Sequence, residues 1–217
     1  MNCDDLKFTI NKNQLLRCSV PGCPYLRHRL YNICLKHQAQ KVHFGDPRSR
    51  AIQKRELKGV RDEVIRLVER NETTHAGLQN AISWFERWMK DASENKHGVP
   101  GCKHIRRLYE HGVSSRELLI TCGAVWLFSY RFPHRLPTEK ALTFALAHQI
   151  MKLMPLEYTI TRNGKKRAKL MSRRERQEIG EYIRQSLGLL FVNIVKSLDE
   201  REERERNFKN QMAKPLE

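Results

Sequence analysis

Half of the chain's six cysteines, Cys18, Cys23 and Cys34, fall in one short window, and His37 follows three positions after the last. The spacing Cys-x4-Cys-x10-Cys-x2-His fits the four ligands of a closed tetrahedral zinc site. Thiolates and imidazole suit a borderline-soft d10 cation, and four protein ligands leave no open position for a reactive water. The expected role of the metal is therefore structural: it staples a segment too short to bury a core of its own. Closely spaced cysteines in a cytosolic protein read as a metal site before a disulfide frame, because thiols there stay reduced. His28 and His43 lie close enough to replace His37 as the fourth ligand. Cys3, Cys102 and Cys122 are scattered, and Cys122, in an apolar helical pattern, reads as a small buried residue.

No second constellation reaches the level of a catalytic site. A nuclease of the ββα-metal class needs a general-base histidine followed by further His or Asn ligands on a helix. His43 is the nearest base, but the helix after it has neither residue before Asn71. His104 and His111, seven apart, read as surface histidines on a basic helix, and His148 as a buried, hydrogen-bonded one. The phosphate-binding, dinucleotide, nucleophile-elbow and zinc-protease patterns are absent. Cys122 has no base partner, and its apolar surroundings should raise its pKa. The expectation is a protein that is not an enzyme.

The charge points elsewhere. Lys and Arg number 41 against 24 Asp and Glu, a net of +17 at pH 7, a field that draws polyanions. It is uneven: residues 1–50 carry a net +6 and residues 151–198 a net +7, whereas the last 19 residues are nearly balanced. Three elements stand out as phosphate contacts. The cysteine segment interleaves Arg27, Arg29, Lys36 and Lys41 with its ligands. A short helix carries Arg106 and Arg107. A hairpin and the turn after it carry Arg162, Lys165, Lys166, Arg167, Lys169, Arg173 and Arg174. A β-ribbon is narrow enough to enter a groove. DNA is favoured over RNA, because Tyr158 is the only aromatic residue in the hairpin and no stacking platform is visible.

The stretches Cys18-Ser19-Val20-Pro21-Gly22-Cys23, Tyr31-Asn32-Ile33-Cys34-Leu35-Lys36-His37 and His43-Phe44-Gly45-Asp46-Pro47 together resemble a small zinc module of phage and mobile-element proteins. That pattern runs from paired cysteines through a basic stretch to Cys-x-x-His and a Gly-Asp-Pro exit. The chain departs from it at Tyr31-Asn32-Ile33, where the family tends to have Gly before the third cysteine. The resemblance covers residues 18–47. It implies bound zinc, and association with DNA-binding or endonuclease-type proteins.

The elements that must position these residues follow from periodicity. Leu6–Ile10 alternates and reads as a strand. Leu57, Val60, Val64, Leu67 and Val68 mark one helix; Leu78, Ile82, Phe85 and Met89 mark the next, with Thr74 as its cap. A helix from Ser114 or Ser115 to Phe132 is apolar on most sides and is the expected centre of the core. Pro137-Thr138-Glu139 opens another helix, which stops by Pro155. Asn163-Gly164 predicts a two-residue type I′ hairpin turn, which needs φ > 0 at both positions. Ser172 caps a helix running to about Asp199. The fold class expected is mainly α: a zinc-binding module over residues 1–50, a helical domain over 51–198 with a basic hairpin at 157–171, and a charged helical tail over 199–217. No apolar run reaches the ~20 residues of a membrane span, and no secretory signal is expected at the N-terminus.

The function expected is that of a zinc-stabilised, DNA-binding accessory or regulatory protein of a phage or mobile element. It would work in the bacterial cytoplasm, at the nucleoid, in transcription, replication or recombination. The alternatives are a metal-dependent nuclease built around His43, and an adaptor that binds an acidic protein partner through the C-terminal helices.

Overall fold

The computed structural model describes residues 3–168 and 171–212. In chain order the elements are α1 (Cys3–Gln14), α2 (Leu35–Phe44), α3 (Lys54–Asn71), α4 (Ala76–Ser93), α5 (Cys102–Glu110), α6 (Ser115–Arg131), α7 (Glu139–Met151), β1 (Tyr158–Ile160), β2 (Lys166–Ala168) and α8 (Arg173–Met212). The chain is mainly α, with one two-stranded antiparallel ribbon. No helix among the described residues is long and apolar enough to cross a membrane.

The core forms around α6, which buries eleven of its 17 residues and packs against α3, α4, α7 and α8. Its start is set by Ser114, whose Oγ accepts the Glu117 N–H at 3.1 Å. Thr138 caps α7 in the same way, accepting from the Ala141 N–H at 3.2 Å. Ser172 and Glu175 form a reciprocal box at the head of α8: the Glu175 N–H donates to Ser172 Oγ at 3.2 Å and the Ser172 N–H to Glu175 Oε2 at 2.8 Å. Along α8, Ile179, Ile183, Leu187, Phe191, Ile194 and Leu198 are buried, a spacing of three and four that lays one stripe on the bundle.

Four expectations are corrected. Residues 6–10 lie in α1, not in a strand. Three alternating apolar residues with no partner strand cannot hold a ribbon, whereas Asp4 and Asp5 in the first turn and Lys12 in the last complement a helix dipole. His75, not Thr74, caps α4, with its Nδ1 accepting the Leu78 N–H at 3.3 Å. The hairpin turn is not type I′. Only Gly164 has positive φ, at 71°. The Gly164 N–H bonds to the Thr161 carbonyl and the Thr161 N–H to that of Lys165, each at 2.9 Å. The loop is thus the three residues Arg162–Gly164, with glycine in the left-handed position. The last helix does not stop near Asp199 but continues to Met212, a rod of 40 residues and about 60 Å. Beyond Leu198 none of its described side chains is buried.

The cysteine segment is seated on this bundle rather than tethered to it. Gly45 ends α2 with φ 83°, and a Cβ there would come within 2.7 Å of the Lys140 carbonyl oxygen in α7. Arg176 Nη1 donates to the His43 carbonyl at 2.6 Å, and its guanidinium lies over the Phe144 ring at 5.6 Å. After Pro47, buried Ser49 donates to the Arg135 carbonyl at 3.2 Å. The Ile52 carbonyl accepts from Gln149 Nε2 at 3.0 Å and Lys152 Nζ at 2.9 Å.

Ion pairs line the bundle. Glu56 pairs with Arg135, Arg61 with Glu117, Glu63 with Arg131 at 2.8 Å and Glu72 with Arg116 at 2.8 Å. The Arg135 guanidinium, aided by the Gln53 N–H, holds the Glu56 carboxyl down at about 2. Between pH 4.5 and about 2 the unfolded chain therefore binds more protons than the folded one. Stability should fall as pH drops through that window, by on the order of 2 kcal/mol from this group. Glu56→Gln should flatten that part of the acid denaturation curve. A second expectation concerns the α7–α8 contact. A Cβ on Gly180 would sit 2.0 Å from the Thr143 carbonyl oxygen, whereas one on Gly188 comes no closer than 3.4 Å to Trp126. Gly180→Ala should cost about 1–3 kcal/mol in urea denaturation and Gly188→Ala much less, despite identical changes in helix propensity.

Candidate metal centre and basic surface

Local backbone geometry explains why the four ligands meet. The Cys18 N–H bonds to the Tyr25 carbonyl at 2.9 Å and the Arg27 N–H to that of Leu16 at 2.9 Å, which folds residues 17–26 into a knuckle. At its tip Gly22 takes φ 74° and the Cys23 N–H returns to the Val20 carbonyl at 3.1 Å. The knuckle is tied to the next strand-like stretch by the Ser19 N–H, which donates to the Asn32 carbonyl at 2.9 Å. Cys34 then occupies the N-cap of α2 in extended conformation, and His37 lies three residues into the first turn. An N-cap residue and the third residue of a helix face the same point, as in a capping box, so Cys-x-x-His delivers two ligands to one place. The helix N-terminus also favours a thiolate there.

One ligand atom from each of Cys18, Cys23, Cys34 and His37 lies within 4.8 Å of every other. Cys18 Sγ and Cys34 Sγ are 3.3 and 3.4 Å from His37 Nδ1, and Cys23 Sγ is 3.9 Å from Cys34 Sγ. A tetrahedral ion with bonds of about 2.3 Å to sulfur and 2.0 Å to nitrogen sets edges of roughly 3.8 and 3.5 Å, so the cavity between these atoms fits one such ion. His28 and His43 stand outside the cluster. Burial would raise the Cys18 thiol, but the Val20 and Cys34 N–H groups, with His37 and Cys23, outweigh it and bring it down to about 6. Burial and the neighbouring sulfurs push the Cys23 thiol up. The only buried apolar neighbour of Cys18 and Cys34 in this segment is Ile33, with Val20 partly buried beside it.

The basic residues divide by what they touch. Arg27 is engaged inside the segment, with Nε donating to the Arg17 carbonyl at 3.0 Å and Nη1 to Asn13 Oδ1 at 3.2 Å. Arg106 braces the end of α4 through the Ala92 carbonyl at 3.4 Å and through Asn95 Oδ1. Arg107 pairs with Glu157 at 2.8 Å, which pins the start of the hairpin to α5. These three guanidiniums are held by the fold, and spacing alone could not show it, since their partners lie on other elements. Arg29, Lys36, Lys41, Arg162, Lys165, Lys166, Arg173 and Arg174 are exposed. Arg167 is placed by its backbone in β2, and Lys169 lies outside the described residues.

His104 is a correction: it is buried, with Nε2 3.1 Å from Glu175 Oε1. His148 packs its ring on Phe44, 6.2 Å between centroids. Burial, with Lys152 and Arg176 nearby, holds it down at about 4, so it is neutral at pH 7. Cys122 is fully buried and its thiol is pushed far up, as expected for an inert core residue. Sequence reasoning missed Arg176, which joins α8 to α2. Its position next to Arg173 and Arg174 resembled a further surface cation.

Comparison with protein-family models, curated proteins and solved structures finds no match for this chain. Because so little apolar surface supports the cysteine segment, removal of the metal should unfold it alone. A chelator should abolish hydrogen-exchange protection over residues 18–44 and leave α3–α8 protected. Cys34→Ser should lose most of the bound metal by mass spectrometry. Metal should also dissociate on strong acidification, as protons compete with the ion for the thiolates and the imidazole, at a pH below that at which the metal-free thiols titrate.

Proposed function

We propose that this chain is a zinc-stapled DNA-binding protein that acts as an accessory or regulatory factor of a phage or mobile element. The observation that carries the reading is convergence. The two most basic stretches of the chain, residues 1–50 and 151–198, lie at opposite ends of the sequence. They are joined in space where Arg176 at the head of α8 bonds to the His43 carbonyl at the end of α2. Exposed Lys41 lies two residues before His43 on α2, and exposed Arg173 and Arg174 lie within three residues of Arg176 on α8, so these cations flank the joint. Glu56, Glu63, Glu72 and Glu117 are paired with arginines of the bundle, so these four carboxylates are engaged away from the joint.

Zinc is the ion that best suits three thiolates and an imidazole in closed tetrahedral array. Its role is to hold the knuckle, and with it Arg29, Lys36 and Lys41, in place against α7. The resemblance of residues 18–47 to mobile-element modules supports a role in the handling of DNA in a bacterial cytoplasm rather than in chemistry on it. Among the described residues, the one gathering of metal-ligating side chains is Cys18, Cys23, Cys34 and His37, and His43 is not part of it.

The test is fluorescence polarisation with a labelled duplex and a matched RNA, on protein whose zinc content has been measured. Expected are one zinc per chain, tighter binding of DNA than RNA, and affinity that falls steeply with salt as counterions are released. Lys165→Glu with Lys166→Glu should weaken DNA binding by roughly tenfold or more and lower the salt slope by about two. Cleavage of plasmid with Mg2+ that is lost in His43→Ala would favour a nuclease instead. Absence of DNA affinity at 50 mM salt would overturn the proposal.

A further inference from the structure

The first strand of the hairpin stands in solvent. All three residues of β1 are exposed, Ile160 at 74 % and Tyr158 at 58 %. A two-stranded ribbon is marginal without a packed face, and a β-branched apolar residue near its tip gains nothing from water. The register pairs Tyr158 with Ala168 and Ile160 with Lys166. In antiparallel strands directly paired residues share a face, so Tyr158, Ile160, Lys166 and Ala168 form one side. Thr159 alternates to the other. One face of the ribbon is thus apolar with a single lysine at its edge. The tip beyond it carries exposed Arg162 and Lys165. The base is fixed by the Arg107–Glu157 pair at 2.8 Å and by the Ser172–Glu175 box.

We propose that the Tyr158–Ile160 face of the hairpin is an apolar wedge that enters duplex DNA at one base step and bends it. Arg162, Lys165 and Lys166 hold the flanking phosphates. This inference rests on the DNA-binding reading above and deepens it. A cationic rim around an aliphatic centre matches a polyanion whose bases offer an apolar stack once separated. An acidic protein surface would satisfy the cations but leave Ile160 in water. Ile160 rather than Tyr158 leads, because it is the nearer to the tip and the more exposed. Unstacking costs least at flexible pyrimidine–purine steps and most in stiff A-tracts. The wedge therefore also confers a preference for sequence without any hydrogen bond to a base edge.

The test uses full-length, zinc-loaded protein and 30-base-pair duplexes with a donor and an acceptor at their ends, one with a central TA step and one an A-tract. The wild type should shorten the end-to-end distance by energy transfer and bind the TA duplex roughly tenfold tighter. Ile160→Thr keeps the β-branched shape and strand preference while removing the apolar tip. It should retain zinc, circular dichroism and A-tract affinity within about twofold, and lose both the bend and the preference. Tyr158→Ala should lose part of each. If the wild type binds duplex without bending it, or Ile160→Thr bends it equally, the wedge is overturned and the DNA-binding reading stands. If both variants lose affinity only for single strands, the face stacks on unpaired bases and the wedge is likewise overturned. Failure of the wild type to bind any DNA would sink the parent reading as well.

Discussion

Three sulfurs and one imidazole drawn to a common point set the shape of residues 18–44. The segment between α1 and α3 buries few apolar side chains; apart from its own cysteines, only Ile33 is a buried hydrophobe of that small cluster. Chain entropy would win over so small a core. The arrangement is made by backbone hydrogen bonds that fold the knuckle and by a helix N-terminus that gathers Cys34 and His37. The four ligand atoms are spaced to hold one ion that would close it, and α2 presents its C-terminal end to α7.

That presentation decides what the rest of the molecule can do. Gly45 lets the end of α2 approach the Lys140 carbonyl of α7, and Arg176 crosses from α8 to complete the joint. Arg176 is half-buried, and burial together with the Arg173 charge lowers its pKa. Its guanidinium stays tolerable there because it both donates to a carbonyl and lies on the Phe144 ring. The bundle beneath supplies rigidity: α6 is buried along most of its surface, and Gly180 brings α7 and α8 close enough for backbone contact.

Arginine serves two ends in this chain. Arg61, Arg116, Arg131 and Arg135 fasten helices to one another through carboxylates. The cations at the head of α8, on α2 and on the ribbon face solvent. Each such pair uses one acid and one base, so the net charge of +17 is carried by cations outside these pairs. The ribbon is fixed at its base by the Arg107–Glu157 pair and exposes all of β1.

Much of this was legible in the amino-acid order because it rests on short-range geometry. Cys34 and His37 are three apart on a helix start, Ser114, Thr138 and Ser172 are caps, and the apolar run from Leu118 to Phe128 could only be interior. Local pattern also misled where two local preferences compete: the alternation at Leu6–Ile10 lost to helix for want of a partner strand, and Asn163-Gly164 took a three-residue loop. What no window of residues contains is the pairing of distant groups. That Arg106, Arg107 and Arg27 bond to Asn95, Glu157 and Asn13 cannot be read from their spacing. His104 looks like a surface histidine until α8 covers it, and Arg176 looks free until α2 arrives. Those assignments depend on which helix packs on which, a matter settled by the fit of buried side chains across the whole bundle rather than by any neighbour in the chain.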